Sequence, residues 1–394
     1  MTHSRQAPGV PSPGLATASL SHAELWRVVM RPYLRSALWS ARDAYDAGTH
    51  LPVAIRAAFR RGHSPWQRDL GELYADFVDA RRAGKPDTPA MHYMAFLATA
   101  AQFMAEARRS DAWRSVPDDL LATVTADVID EWESVVSRSI ATKLRHSGDP
   151  RYQRALAGRQ LLPIVIAGYL GAAGMSESRL SDMLDAGIAI TKAEFEWTAA
   201  GGCVFQPGIW SDHPDTAYAG RATIAADMQP LTRETLPLDS SHAHLLASLV
   251  YALRLSPVAV QHAEHLARMR DALVHQLLDV MLVEPDDAFP APRTRNFMDG
   301  WNGVYRWGYK THGAGVGYGP YAVSGTLALG TWSLLDSPLV EQAYAVLDGC
   351  FPLSPAVIDV YDGPPTTRAR HPLVAGPGCW TNGMRELLVG LASG

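Results

Sequence analysis

Apolar side chains recur every three or four residues through most of this chain and almost never every second residue. The first spacing lines one face of an α-helix and the second would line one face of a strand, so this chain can hide its apolar surface only by packing helix on helix. The pattern starts at Ser21, which forms a capping box with Glu24. The Ser hydroxyl accepts from the backbone three residues on, and the Glu carboxylate reaches back. The stripe Trp26, Val29, Met30, Tyr33, Leu34 and Leu38 follows. Similar stripes predict helices over Trp66–Ala83, Pro89–Arg109, Pro117–His146, Arg151–Ala173, Ser176–Ala200, Ser240–Leu255, Pro257–Val283, Gly325–Leu335, Pro338–Cys350 and Trp380–Leu391.

Helices of roughly 15 to 30 residues joined by short Gly/Pro turns pack as hairpins. An α/α toroid suits the pattern: inner helices point their ends at a cavity and the connecting loops line one mouth. No fixed-period repeat of the solenoid kind is present. With 394 residues, 47% of them hydrophobic, the chain can bury a large core, and residues 20–394 are expected to form a single all-α domain. Residues 1–19 are rich in Pro, Gly and Ser and too poor in apolar surface to order themselves.

Charge and composition remove several function classes. The net charge of -5 is small for this length and the Lys and Arg residues are scattered, so no footprint for nucleic acid is visible. No apolar stretch approaches the ~20 residues that span a bilayer; the best, Leu161 to Gly174, is short and carries Pro163. The chain does not open on a charged segment followed by an apolar one. Cys203, Cys350 and Cys379 are far apart and match no zinc spacing. These features predict a cytoplasmic protein, not inserted in a membrane, that acts on a small molecule or an oligosaccharide without metal or cofactor.

Three long segments break the helical pattern, at Gly201 to Leu238, Glu284 to Tyr321 and Phe351 to Cys379, and all turn to Gly, Pro and aromatics. Long irregular loops in a compact domain usually serve a site, so the site is expected where they meet. Within the second, TRNFMDGWNGVYRWGYKTHGAGVGYGPY (Thr294 to Tyr321) holds seven glycines and seven aromatic rings in 28 residues. Glycine at nearly every third position makes a poor helix, and it lets a ligand approach the backbone. Trp301, Tyr305, Trp307, Tyr309, Tyr318 and Tyr321 are therefore expected to offer stacking surfaces, with His312 beside them and Trp380 at the start of the last predicted helix.

LDSSHAHLL at Leu238 to Leu246, RNFMDGWNGVYRWGY at Arg295 to Tyr309 and GYGPYAVSGTLALGTWSLL at Gly317 to Leu335 resemble, in texture and order, the inner segments of α/α-toroid polysaccharide lyases and related toroid carbohydrate-active enzymes. The resemblance covers about the C-terminal 160 residues. It implies β-elimination from an acidic saccharide with an Asn, a His, a Tyr and often an Arg as the working groups. Here those roles can be carried by Asn296 or Asn302, by His242, by Tyr305 or Tyr309, and by Arg306 or Arg295.

The residues themselves allow the same chemistry. Asp239 or Ser240 is a strong N-cap, which places His242 in the first helical turn, where the helix dipole favours a neutral imidazole. His244, two residues on, would face nearly the opposite way. Arg306 beside Tyr305 would favour phenolate and make that Tyr a proton carrier. Two other classes stay open. A glycoside hydrolase could pair Asp239 with Asp299 or Asp212 across a cavity. A terpene or polyene cyclase could use the aromatic lining, with a metal held by Asp127, Asp130 and Glu131 in DVIDEWE or a proton given from EPDDAF at Glu284 to Phe289. The acids of DVIDEWE also suit an ordinary solvated helix face.

Overall fold

A computed structural model describes residues 20–145, 151–308, 316–364 and 370–394. The chain is all-α, 62% helix and 4% strand. Its long helices are α1 (Ala41–Arg60), α2 (Ser64–Ala83), α3 (Ala90–Arg109), α4 (Leu120–Glu131), α5 (Gly158–Ala172), α6 (Ser178–Ala193), α7 (Ser240–Leu255), α8 (Ala259–His275), α9 (Pro338–Asp348) and α10 (Met384–Ala392). Among the described residues the extended structure is confined to two short antiparallel pairs, Phe195–Trp197 with Cys203–Phe205 and Leu282–Val283 with Arg293–Thr294.

The helices form two layers that alternate along the chain. In the inner layer α1 packs on α3, α3 on α5 and α5 on α7, while α7 meets the 3₁₀ segment Thr331–Leu335, which packs back on α1; α10 also lies on α1. In the outer layer α2 covers α1, α4 covers α3 and α5, α6 covers α5, α8 covers α7 and α9 covers α10. Long stretches of the inner helices are buried on all sides and the outer ones on one side: α5 buries an unbroken run from Gln160 to Leu170, whereas α9 buries only Val340, Tyr344 and Leu347. This is the pattern that separates a central helix from a surface one.

Two glycines set the inner spacing. A methyl group on Gly48 of α1 would lie 2.6 Å from the Ala95 Cβ of α3, and one on Gly168 of α5 would lie 2.8 Å from the Ala252 backbone of α7. Each glycine weakens its helix by about 1 kcal/mol relative to Ala, and the close backbone approach offsets that cost.

Several expectations change here. The central helix α1 is not among the predicted ones. The predicted Gly325–Leu335 helix is two 3₁₀ segments separated by Gly330 at φ 74°, because a left-handed residue breaks the α ladder. The predicted Phe351 to Cys379 loop contains a helix, Pro355–Asp362, capped by Ser354. Residues 151–172 do have the length and mean hydropathy of a membrane span, yet 72% of that apolar window is buried inside the protein, mostly in α5. The DVIDEWE acids are committed to ion pairs and hydrogen bonds and are not a bare solvated face. Asp127 is buried, accepts two bonds from Arg81 at 2.8 and 3.0 Å and one from the Tyr93 hydroxyl at 2.6 Å, while Asp130 pairs with Lys85 and Glu131 with Arg159. Cys203, Cys350 and Cys379 are free thiols.

Candidate active site

The N-terminal ends of the inner helices converge on one cavity with two chambers. The first, about 270 Å³, takes Tyr45 and Gly48 from α1, Met91 and Ala95 from α3, Leu161 and Leu162 from α5, and Leu245 from α7. Trp210 and Phe297 from the loops complete its apolar walls. The second, about 240 Å³, is polar and carries Arg42, Asp46, Asp362, Arg370, Trp380 and Arg385. Tyr45, Thr49, His242, His244, Tyr305 and Arg306 line both chambers and form the waist between them.

The waist is built on the first turn of α7. Asp239 is its N-cap, with φ -72° and ψ 154°, and accepts from the His242 N–H at 3.2 Å. One turn later in the helix the His242 ring folds back, so that Nδ1 lies 2.9 Å from both Asp239 carboxylate oxygens. An anion facing Nδ1 fixes the proton there and leaves Nε2 as the acceptor. Nε2 has no hydrogen-bond partner among the described residues, and the His242 side chain is 39% exposed. The Ser241 hydroxyl also donates to Asp239, and the Tyr305 hydroxyl donates to Oδ2 at 3.2 Å. Burial alone would raise the Asp239 carboxyl, but the charge and hydrogen bond of His242, with Arg306 and Ser241, hold it well below the usual carboxylate range. Asp239 therefore remains an anion at any working pH.

Backbone pairing holds the aromatic loop against this turn. Asp239 bridges to Phe297, Ser240 N–H donates to the Asn296 carbonyl at 2.8 Å, and Tyr305 bridges to Tyr318. Phe297 and Tyr305 bury themselves with Ala219, Leu236 and Val323 in a small core of their own, flanked by Trp301 and Tyr318.

Of the predicted site residues, Asp239, His242, Tyr305 and Arg306 come together, and Tyr318 and Trp380 line the polar chamber. The acidified phenol is contradicted. Arg306 lies 4.7 Å over the Tyr305 ring, but burial and the adjacent Asp239 carboxylate push this phenol well above its usual value. Arg306 also spends its charge on Asp215 at 3.2 Å. Tyr305 is a hydrogen-bond donor to Asp239, not a phenolate base.

The asparagines serve as loop staples. Asn296, 0% exposed, donates to the Gly303 and Gly319 carbonyls at 2.8 and 2.7 Å, and Asn302 accepts from the N–H groups of Asn296 and Tyr321. Asp299 pairs with Arg233 at 3.2 Å and accepts from the Trp301 N–H, Trp301 donates to the Ala219 carbonyl, and Asp212 caps the 151–152 backbone. Tyr321 lies under Arg293, and Trp307 packs near Gly317. None of these residues lines either chamber. Arg295 bonds the Val280 carbonyl. Tyr309 and His312 lie outside the described residues.

His244 reaches the same cavity as His242, against the helical-wheel expectation. The cavity runs along a broad face of the first turns of α7, lined by Ser241, His242, His244, Leu245 and Ser248, and the two histidines stand at opposite edges of that face. Burial, and then the nearby His242, push the His244 imidazole down to about 4. The sequence reading also missed His213 and Asp215, the Arg42–Asp46–Arg370 group and Arg385. Arg42 and Asp46 sit four apart at the start of α1, an ion-pair spacing that was legible only once that helix was recognised.

The fold and site thus define an all-α protein with a histidine–aspartate dyad at the waist of a partly open, two-chambered cavity. No family model, curated protein or solved structure matches this chain.

Proposed function

We propose that this protein is an acid–base enzyme of the lyase type, in which His242 moves a proton on a substrate bound across the two chambers. The observation that carries this reading is the His242–Asp239 pair, with Nδ1 held at 2.9 Å by a buried carboxylate and Nε2 at the waist without a partner among the described residues. A base so oriented typically contributes about 10²- to 10⁴-fold in rate.

The step starts from a substrate with an acidic C–H beside an electron-withdrawing group and a leaving group on the next carbon. His242 Nε2 takes the proton, the C–H pair becomes the new C=C bond, and the leaving oxygen departs with the electrons of the C–O bond. The imidazolium, steadied by Asp239, returns the proton to that oxygen, so one group serves as base and then acid. Tyr305 holds Asp239 in place by its hydroxyl bond. The inner packing that runs from α1 through α3, α5, α7 and the 331–335 segment back to α1 supports the toroid arrangement of the helices.

A second reading, a cyclase of hydrocarbon chains, is favoured by one observation: the walls of the first chamber are apolar and include Tyr45, Trp210 and Phe297. Product analysis separates the two. An elimination yields a conjugated alkene that absorbs in the ultraviolet, and a cyclisation yields a ring isomer that does not. The test of the main reading is His242→Gln, which keeps a polar side chain of similar size without a proton-moving ring. Turnover is expected to fall by about 10²-fold or more with the fold intact, and unchanged turnover would defeat the proposal.

A further inference from the structure

Arg385, the second residue of α10, is 7% exposed, lines the polar chamber, and has no hydrogen-bond partner for Nε or Nη1. Its guanidinium lies 5.2 Å from the Trp380 ring centre and forms no ion pair among the described residues. The other cations here are committed: Arg370 makes bonds of 2.9 and 3.0 Å to Asp46, Arg42 pairs with Asp46 at 3.6 Å, and Arg306 pairs with Asp215. Among the described residues lining this chamber Arg42 and Arg370 share Asp46, Arg306 pairs with Asp215, and Asp362 accepts from the Trp380 indole at 3.3 Å, which leaves Arg385 without an acid. The N-terminal ends of α1, α7 and α10 supply residues to the same chamber and add their positive dipole ends. A buried guanidinium without a counter-charge is costly, and a planar oxyanion offers it the fork of acceptors it lacks.

Across the waist the surroundings reverse. The first chamber presents Met91, Ala95, Leu161, Leu162, Leu245 and Phe297, which offer a ligand no hydrogen bonds from their side chains. His213, Asp215, Thr216 and Ser248 also line this chamber, so it is the apolar part of its wall that suits a hydrocarbon portion and would strip sugar hydroxyls of water without replacement. We infer that the cavity takes an amphiphilic acid, with a carboxylate or phosphate head on Arg385 in the polar chamber and a hydrocarbon portion in the apolar one. This rests on the reading that the cavity is the active site and it names the substrate class, a hydrocarbon acid instead of an acidic saccharide. It also places the carbons nearest the head at the waist, beside His242 Nε2.

Binding decides the matter without turnover. Calorimetric titration of the full chain with decanoate and decyl phosphate is compared with 1-decanol, inorganic phosphate and glucuronate. Decanoate or decyl phosphate is expected to bind at least tenfold tighter than all three controls, and the ratio between the two shows which head the site prefers. Arg385→Gln should weaken the better acid by about ten- to a hundredfold and leave decanol unchanged, and Arg385→Lys should recover part of the loss. Decanol or free phosphate binding as tightly as the acids, glucuronate binding tighter than decanoate, or Arg385→Gln binding like wild type each overturns the inference. Should neither variant fold, the wild-type comparison still decides. Turnover of His242→Gln is measured separately from the binding of wild type and the Arg385 variants. If His242→Gln keeps full turnover while wild type prefers the acids and Arg385→Gln loses them, the catalytic reading falls and the ligand assignment stands.

Discussion

Replacing Asp239 by Asn tests the dyad with the least collateral damage. Asn caps helix starts as well as Asp does, so the start of α7 should lose no more than a few tenths of a kcal/mol. The wild-type carboxylate receives the His242 backbone N–H, the His242 Nδ1 proton, the Ser241 hydroxyl and the Tyr305 hydroxyl. An amide has one acceptor oxygen, and its NH₂ must face either His242 Nδ1 or Tyr305. Facing Nδ1, it donates and moves the ring proton to Nε2, which removes the base from the cavity. Facing Tyr305, it donates to the hydroxyl, which must turn to accept, and in both cases the anion beside the His242 ring is gone. Loss of a hydrogen bond to a charged group is worth about 1.5–3 kcal/mol, or roughly 10- to 10²-fold in rate, and the wrong tautomer adds to that. Two measurements check this: the tautomer of His242 by long-range proton–nitrogen NMR, and turnover of whichever acid the cavity accepts. Wild type should show Nδ1–H and the variant a shift towards Nε2–H, with thermal stability little changed. An unaltered tautomer with turnover within threefold of wild type would refute the reasoning.

Other outcomes follow from the same contacts. Tyr305→Phe removes one neutral donor from Asp239 and should slow turnover by about 3- to 10-fold, the equivalent of one net hydrogen bond; complete loss would mean that the phenol itself moves a proton. Gly168→Ala places a methyl 2.8 Å from the Ala252 backbone, and overpacking of about 1–3 kcal/mol outweighs the gain of about 1 kcal/mol in helix propensity. A thermal scan should therefore show a lower midpoint, and an unchanged or raised one would show that α5 and α7 part freely. Burial lowers the imidazoles of His50 and His244, the latter to about 4, from an ordinary 6.5. Below 6.5 the unfolded chain takes up protons that these folded histidines refuse, so their contribution is full above 6.5 and is lost as pH falls towards 4. Denaturant titrations at pH 7.5 and 5 should find the lower value at pH 5, and replacing His50 and His244 together should shrink the difference.

The helical class and the first turn of α7 were legible in the sequence because both are local. A three-to-four spacing of apolar residues commits a segment to helix wherever it lies, and Asp239 caps His242 by bonds that reach three residues along the chain. Helix α1 was less legible because Gly48 and Pro52 interrupt its pattern, although packing against Ala95 gives Gly48 a purpose that only its neighbour reveals. Composition marked the Thr294 to Tyr321 stretch as unusual, but it could not tell lining from scaffold. In the folded chain Tyr305 turns to Asp239 and Trp301 to the Ala219 carbonyl, while the two asparagines staple the loop. Which side of a loop faces a cavity depends on partners 60 to 80 residues away, and spacing carries no record of them. The same holds for Arg385, which looks in sequence like an ordinary cation in the first turn of a helix. Only tertiary packing buries it against Trp380 beside the ends of α1 and α7, where among the described residues it meets no acid.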